Sequence, residues 1–249
     1  MSAAVLMERM AEASPRLKAR TAGFFWLMTI LTGAFAMFAG GSVVVSGDAA
    51  ATAANILAHE SLFRLGVAAN LVATACYLVA TLLVYDLLKP VSRNLSLLAA
   101  FFSLAGCAIG AFSELFHLAP LVVLGGGQYL TVFTMEQLRA LAYMFLRLNA
   151  QASIIGFAFF GLHCFLIGYL ILRSTFLPRL VGVLMAFAGL GWLTFSFANL
   201  LSPPLGRSLS YYIALPGALG ELSLTLWLLV IGVNVQRWKE QASVPTTST

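Results

Sequence analysis

The sequence predicts an all-α fold, a polytopic transmembrane helical bundle of six spans with both the N-terminus and the C-terminus cytoplasmic. Three observations carry that expectation. Hydrophobic residues make up 61% of the 249 and charged residues only 9%, far more apolar than the roughly half-apolar, quarter-charged average of soluble domains. Several apolar runs reach the ~20 residues that a helix needs to cross the hydrocarbon core, whereas a membrane barrel would show ~10-residue alternating segments. The Lys and Arg residues, finally, gather in short clusters between the apolar runs and form no basic face, so the net charge of +5 reads as a topology signal and not as a nucleic-acid surface.

Taken in order, residues 1–20 form a cytoplasmic N-terminal segment. Glu8, Arg9, Glu12, Pro15, Arg16, Lys18 and Arg20 interrupt any secretory apolar region, so the first span is expected to stay attached. Val5, Leu6 and Met10 are spaced for one face of a short helix on the membrane surface. The six-helix domain covers residues 21–236, with apolar runs at about 21–45, 65–88, 95–124, 152–172, 180–200 and 212–235. Residues 237–249 complete the chain as a disordered cytoplasmic tail.

Orientation follows from the basic residues. With the N-terminus inside, Arg9, Arg16, Lys18, Arg20, Lys89, Arg93, Arg173, Arg179, Arg237 and Lys239 are cytoplasmic, ten of the 14, leaving Arg64, Arg139, Arg147 and Arg207 outside. The inner connections carry Pro90 and Pro178, which stop a helix and favour tight hairpins. In the first outer connection Asp48 is placed to cap an Ala-rich helix that leads to an i,i+4 pair of Glu60 and Arg64. In the second, Gly125, Gly126 and Gly127 break the third helix, and Thr134 with Gln137 makes a capping box. The helix that follows keeps Leu138, Leu141, Ala142, Phe145 and Leu148 on one face, as a segment lying flat over the outer mouth of the bundle would.

Several segments resemble a known family. Gly47-Asp48-Ala49-Ala50-Ala51-Thr52-Ala53-Ala54-Asn55-Ile56-Leu57, Glu60-Ser61-Leu62-Phe63-Arg64-Leu65-Gly66, Phe159-Phe160-Gly161-Leu162-His163, Phe176-Leu177-Pro178-Arg179 and Gly220-Glu221-Leu222-Ser223 are similar to the bacterial membrane family called domain of unknown function 4386. The resemblance covers nearly all the chain after residue 20. It implies a bacterial multi-span protein, located in the inner membrane, and assigns no activity, cofactor or catalytic residue.

The polar residues within the spans carry the functional expectations, because in lipid such side chains turn to a neighbouring helix or a wet cavity. Gly106, Gly110 and Glu114 share a stripe of the third span, with His117 three residues on. The fourth places Asn149, Gly156 and His163 at seven-residue steps. The fifth lines up Gly182, Met185, Gly189, Trp192, Ser196 and Asn199. Gly217, Glu221, Thr225 and Gly232 lie near one stripe of the sixth, and Asn70, Thr74, Tyr77 and Thr81 near one of the second. Glycine and hydroxyl residues in such stripes are ordinary packing between membrane helices. Ionisable residues are harder to explain that way.

Depth decides which of them can meet. Counting from the inner basic residue of each hairpin at ~1.5 Å per residue puts His163 about 15 Å up, Glu221 about 24 Å, Glu114 about 31 Å with Asn70 and Asn199 near it, and His117 about 36 Å. The unit Glu114-x-x-His117 is found in di-metal bundles, but that design needs a second copy, and the two histidines lie about 21 Å apart in depth. No metal, haem or other cofactor is expected. Cys76, Cys107 and Cys164 each fall inside an apolar run, with no disulfide or zinc spacing. Phosphate-binding loops and nucleophile triads are missing. Glu221 with His163 is the better pair, since a shared proton would lower the cost of burying both.

The leading expectation is an outward-facing intramembrane polar pocket for a small amphipathic or cationic ligand, used for binding or proton-coupled transport. Glu221, His163, Glu114, Asn70 and Asn199 would line it, with Trp192 and Tyr77 as apolar walls. Alternatives are an intramembrane enzyme acting on a lipid-like substrate with Glu221 and His163 as acid and base, and a structural or regulatory membrane partner without a pocket. A dry core with His163 bonded to a backbone carbonyl favours the last. Expected partners are membrane lipid, a small molecule and a second copy of the chain, with no nucleic acid.

Overall fold

The structure, a computed structural model, describes residues 14–243. All regular structure among the described residues is helical. The expected surface helix through Val5, Leu6 and Met10 lies outside them.

Helix α1 spans Pro15–Gly41, with the Ser14 hydroxyl accepting from the Leu17 N–H at 3.3 Å and Pro15 at the first helical position, where its missing N–H costs nothing. Next come α2, Ala49–Ala58, and α3, Glu60–Leu88. Asp48 caps α2 through the Ala51 N–H at 2.9 Å. The Arg64 guanidinium donates to Glu60 at 2.7 Å. Helix α4 spans Arg93–Leu124 and carries Pro120. After a short 3-10 turn at Gln128–Leu130 comes α5, Met135–Arg173, whose start is the expected capping box: the Thr134 N–H donates to Gln137 at 2.9 Å and the Gln137 N–H to Thr134 at 3.3 Å. Helices α6, Arg179–Leu201, and α7, Pro203–Leu226, are followed by a π-helical turn at Trp227–Ile231 and by α8, Val235–Ser243.

Two expectations change here. The segment after Thr134 is not a separate helix lying flat: it is the first part of α5, 39 residues long and therefore about 58 Å. From Met135 to Ile155 there is no glycine or proline to break the run, so no residue obliges the helix to stop before the span. At the other end, residues 237–243 of the stretch expected to be a disordered tail belong to a helix, Val235–Ser243, and residues 244–249 lie outside the described residues. Five of the described helices are long and apolar enough to cross a membrane. A sixth is added if Leu215–Ile231 and Val235–Ser243, bent by 104°, count as one span.

The chain forms two compact units. One comprises residues up to Leu27, Cys76–Gly106 and residues from Phe157 onward; the other comprises Met28–Ala75 and Cys107–Gly156. In the first unit α5 and α6 meet along a glycine seam. A Cβ on Gly168 would lie 2.4 Å from the Ala186 nitrogen, and one on Gly189 the same distance from the Phe165 nitrogen, so only hydrogen fits where the backbones touch. Of the stripe expected on α6, Gly182, Met185, Gly189 and Ser196 are buried, and Trp192 and Asn199 are half-buried. The carboxylate of Asp86 ties the end of α3 to the start of α1, with Lys18 and Lys89 each at 2.6 Å. Helix α8 is held by the Trp238 indole, which donates to the Leu87 carbonyl at 2.9 Å, and by Gln241, which accepts from Thr175 at 3.0 Å.

The second unit packs Val43, Ile56, Phe63 and Leu146 with Leu121, and separately Val123, Leu130, Leu138 and Ala142. The amphipathic face expected for a covering helix is thus used, in part, by the N-terminal half of α5. Tyr143 on the same stretch accepts from the Gly47 N–H at 2.9 Å.

Candidate functional site

In the first unit the site is built on the contact between α6 and α7. A Cβ on Gly217 would lie 2.7 Å from the Trp192 ring, and one on Gly220 would lie 2.5 Å from the Leu184 carbonyl oxygen. These two glycines let the helices approach until the Trp192 indole lies across α7, one turn from Glu221. Its Nε1–H then donates to Glu221 Oε1 at 2.8 Å. From α1, the Trp26 Nε1–H donates to Glu221 Oε2 at 3.4 Å. Each carboxyl oxygen therefore has one neutral donor, which is how two buried indoles meet the requirement of their own N–H groups.

His163 stands on the other side of Trp26. Its Nδ1 lies 2.8 Å from the Ala99 carbonyl oxygen; a carbonyl only accepts, so Nδ1 carries a proton, and the neutral tautomer that fits this bond leaves Nε2 bare. Nε2 is buried and has no hydrogen-bond partner. The imidazole stacks on Trp26 with centroids 6.2 Å apart and an interplanar angle of 30°. Tyr77 lies 5.6 Å from His163 and 5.3 Å from Trp26. Phe157 stacks on Trp192 at 4.8 Å. The carboxyl is thus set among aromatic rings from α1, α3, α5 and α6.

Of the expected site residues in this unit, Glu221, Trp192, His163 and Tyr77 fall in one cluster. Glu221 and His163 share no hydrogen bond: the indole of Trp26 takes the place foreseen for a direct pair. Asn199 turns its amide to the Phe195 carbonyl of its own helix at 2.8 Å, against Gly206 in the next turn of chain.

Glu114 and Asn70 belong to the second unit and make their own cluster. The Asn70 amide donates to Glu114 Oε1, and His117 Nδ1 lies 3.2 Å from Oε2. Glu114 is 4% exposed. The Phe63 ring meets the imidazole edge-on at 4.7 Å. Nearby, Asn149 donates to the Ser113 carbonyl at 3.0 Å. The depth count expected His117 to part from Glu114 towards the interface. It stays because the count followed Cα heights, whereas side chains on a helix lean back towards its N-terminus and i,i+3 neighbours meet. Among the described residues no three His, Cys, Asp or Glu side chains gather closely enough to hold a metal ion.

Two groups escaped the reading of the sequence. Trp26 is one, although a tryptophan in mid-span is a signal in itself, because its buried N–H needs an acceptor. The other is the group of Lys18, Asp86 and Lys89, visible in sequence only as an acid three residues before a lysine.

A family model described as "Domain of unknown function (DUF4386)" matches residues 21–232. The chain is also similar to an uncharacterized protein of Archaeoglobus fulgidus, 28% identical over 165 residues, which make up 65% of this chain and 78% of that protein. No solved structure matches. Since the match takes in all of α1 after its first six residues and every longer helix through α7, the chain belongs to the family of domain of unknown function 4386, as a helical protein with several apolar helices of membrane-spanning length.

Proposed function

We propose that the protein binds a small amphipathic cation at an outward-facing intramembrane site in the bacterial inner membrane and exchanges it for a proton, with Glu221 as the group that holds either one. The observation that carries this reading is the Glu221 carboxyl met by two indole N–H groups, at 2.8 and 3.4 Å. Two neutral donors orient a carboxylate but leave its charge uncompensated, and an uncompensated charge in an apolar setting costs several kcal/mol. A proton or a cation supplies the missing compensation. The rings of Trp192, Phe157 and Tyr77 add π faces, which favour an organic cation over a hydrated metal ion by about 0.5–2 kcal/mol.

The test uses tetraphenylphosphonium as the probe and the quenching of tryptophan fluorescence as the readout, with Trp227 and Trp238 changed to Phe so that the signal comes from Trp26 and Trp192. Glu221→Gln is expected to fold, to bind the probe at least about tenfold more weakly, a loss of about 1.4 kcal/mol, and to lose the dependence of binding on pH. Equal affinity and an unchanged pH profile in the variant would sink the proposal. A second reading, a structural membrane partner without a pocket, is favoured by the bond of His163 to the Ala99 carbonyl; it expects no probe binding by the unsubstituted protein.

A further inference from the structure

The first unit contains a cavity of about 570 Å³, away from the Glu221 cluster in its lining, where α1 begins and α7 gives way to α8. The backbone opens it. The turn at Trp227–Ile231 is widened to π geometry, Gly232 takes φ 79°, a value that favours glycine, and the chain turns by 104° into α8. Asn234 then caps α8 through the Arg237 N–H at 3.1 Å, and its own N–H donates to the Phe176 carbonyl at 3.3 Å.

The charge of the lining has one sign. Arg16 and Arg237 both line the cavity, and no Asp or Glu does. Neither arginine has a carboxylate partner among the described residues. Arg237 makes one long bond, 3.4 Å to the Thr175 carbonyl, which leaves most of its five donors open. Phe176, Trp227 and Ile231 supply the apolar part of the lining. The setting is that of a membrane–water boundary: the end of an apolar helix, a tryptophan, and a short helix bearing Arg237, Trp238 and Lys239 turned away from the span.

From this we infer that the cavity binds a phosphate-bearing anion through Arg16 and Arg237. Guanidinium groups match phosphate oxygens in fork geometry, and the volume is in the ~300–1,000 Å³ range of small-molecule sites, with room for more than a bare phosphate. The apolar part of the lining suits the glycerol and first methylenes of an anionic phospholipid, although free phosphate offers the same oxygens. The inference does not depend on the role of Glu221.

The experiment measures the thermal unfolding midpoint of the purified full chain in dodecyl maltoside with added phosphatidylglycerol, phosphatidylcholine, or sodium phosphate against chloride at equal ionic strength. A rise with phosphatidylglycerol that exceeds that with phosphatidylcholine, and none with phosphate, supports the site with a lipid headgroup as its occupant. A rise with phosphate itself supports the site with the free anion. No rise with either overturns the inference. The double variant Arg16→Gln/Arg237→Gln is expected to lose the rise, while Lys239→Gln, outside the lining on the same helix, keeps it. If the double variant does not fold, Arg237→Gln alone, at an exposed position, is expected to lose most of it. A full rise in the arginine variants, or an equal loss in Lys239→Gln, overturns the inference.

Discussion

Trp26 is the residue on which the Glu221 cluster turns, since it donates to the carboxyl and stacks on His163. Trp26→Phe keeps most of the ring and removes the donor. Hydrogen bonds within membrane proteins contribute about 0.6 kcal/mol on average, and the smaller ring also leaves space at a fully buried position, so the variant is expected to fold with a stability loss of about 1–3 kcal/mol. Trp192→Phe removes the shorter bond from a half-buried position and should cost less. Unfolding in mixtures of dodecyl maltoside and sodium dodecyl sulfate measures both, and a smaller loss in Trp26→Phe than in Trp192→Phe would contradict the central place of Trp26. At this scale the sequence revealed which residues are polar and inward, because helical spacing puts Glu221, His163 and Trp192 on stripes with small residues. It did not reveal their bonds. A hydrogen bond depends on angles and on tenths of an ångström, and depth counting along straight helices carries errors of several.

Between α5 and α6 the seam at Gly168 and Gly189 leaves no room for a methyl group. Gly189→Ala and Gly168→Ala are each expected to force the helices apart and to destabilise by about 1–3 kcal/mol, the ordinary cost of overpacking. Gly33→Ala is the control: a Cβ there finds nothing nearer than the Ala73 Cβ at 4.0 Å, and alanine is the better helix former by about 1 kcal/mol. The same unfolding measurement reads all three, and an unchanged midpoint in Gly189→Ala would mean that the seam does not hold the pair. Half of the seam was legible, because Gly182 and Gly189 lie seven apart on the stripe expected for α6; its α5 half, Gly168, lies off the stripe of Asn149, Gly156 and His163 expected there. The continuity of α5 was not. A capping box and an amphipathic face announce a helix beginning at Thr134, but whether it stops before the next apolar run depends on packing, here the burial of Leu138 and Ala142 against Val123 and Leu130.

For the whole molecule the testable expectation is the orientation of the chain. The distribution of basic residues predicts that both ends of the membrane domain lie in the cytoplasm and the connection through Arg207 outside. With Arg207→Cys and Ser243→Cys in separate variants, a membrane-impermeant maleimide applied to intact cells is expected to label position 207 and to reach position 243 only after permeabilisation. Labelling of both in intact cells would reverse or break that topology. Native cysteines interfere little, since Cys107 and Cys164 are buried and Cys76 is half-buried, all within helices.

Composition and period were enough for the helical class, the membrane-spanning length of the helices, the caps at Asp48 and Thr134 and the small-residue stripe of α6. These are local properties: burying a backbone in lipid demands helices, and helical period decides which residues share a face. The partners of Glu221 and the arginine-lined cavity beside Gly232 depend on which helices lie against each other and how closely. Both bring together residues distant in the chain, Trp26 and Glu221 through a hydrogen bond and Arg16 and Arg237 as lining of one cavity, and no local pattern specifies that.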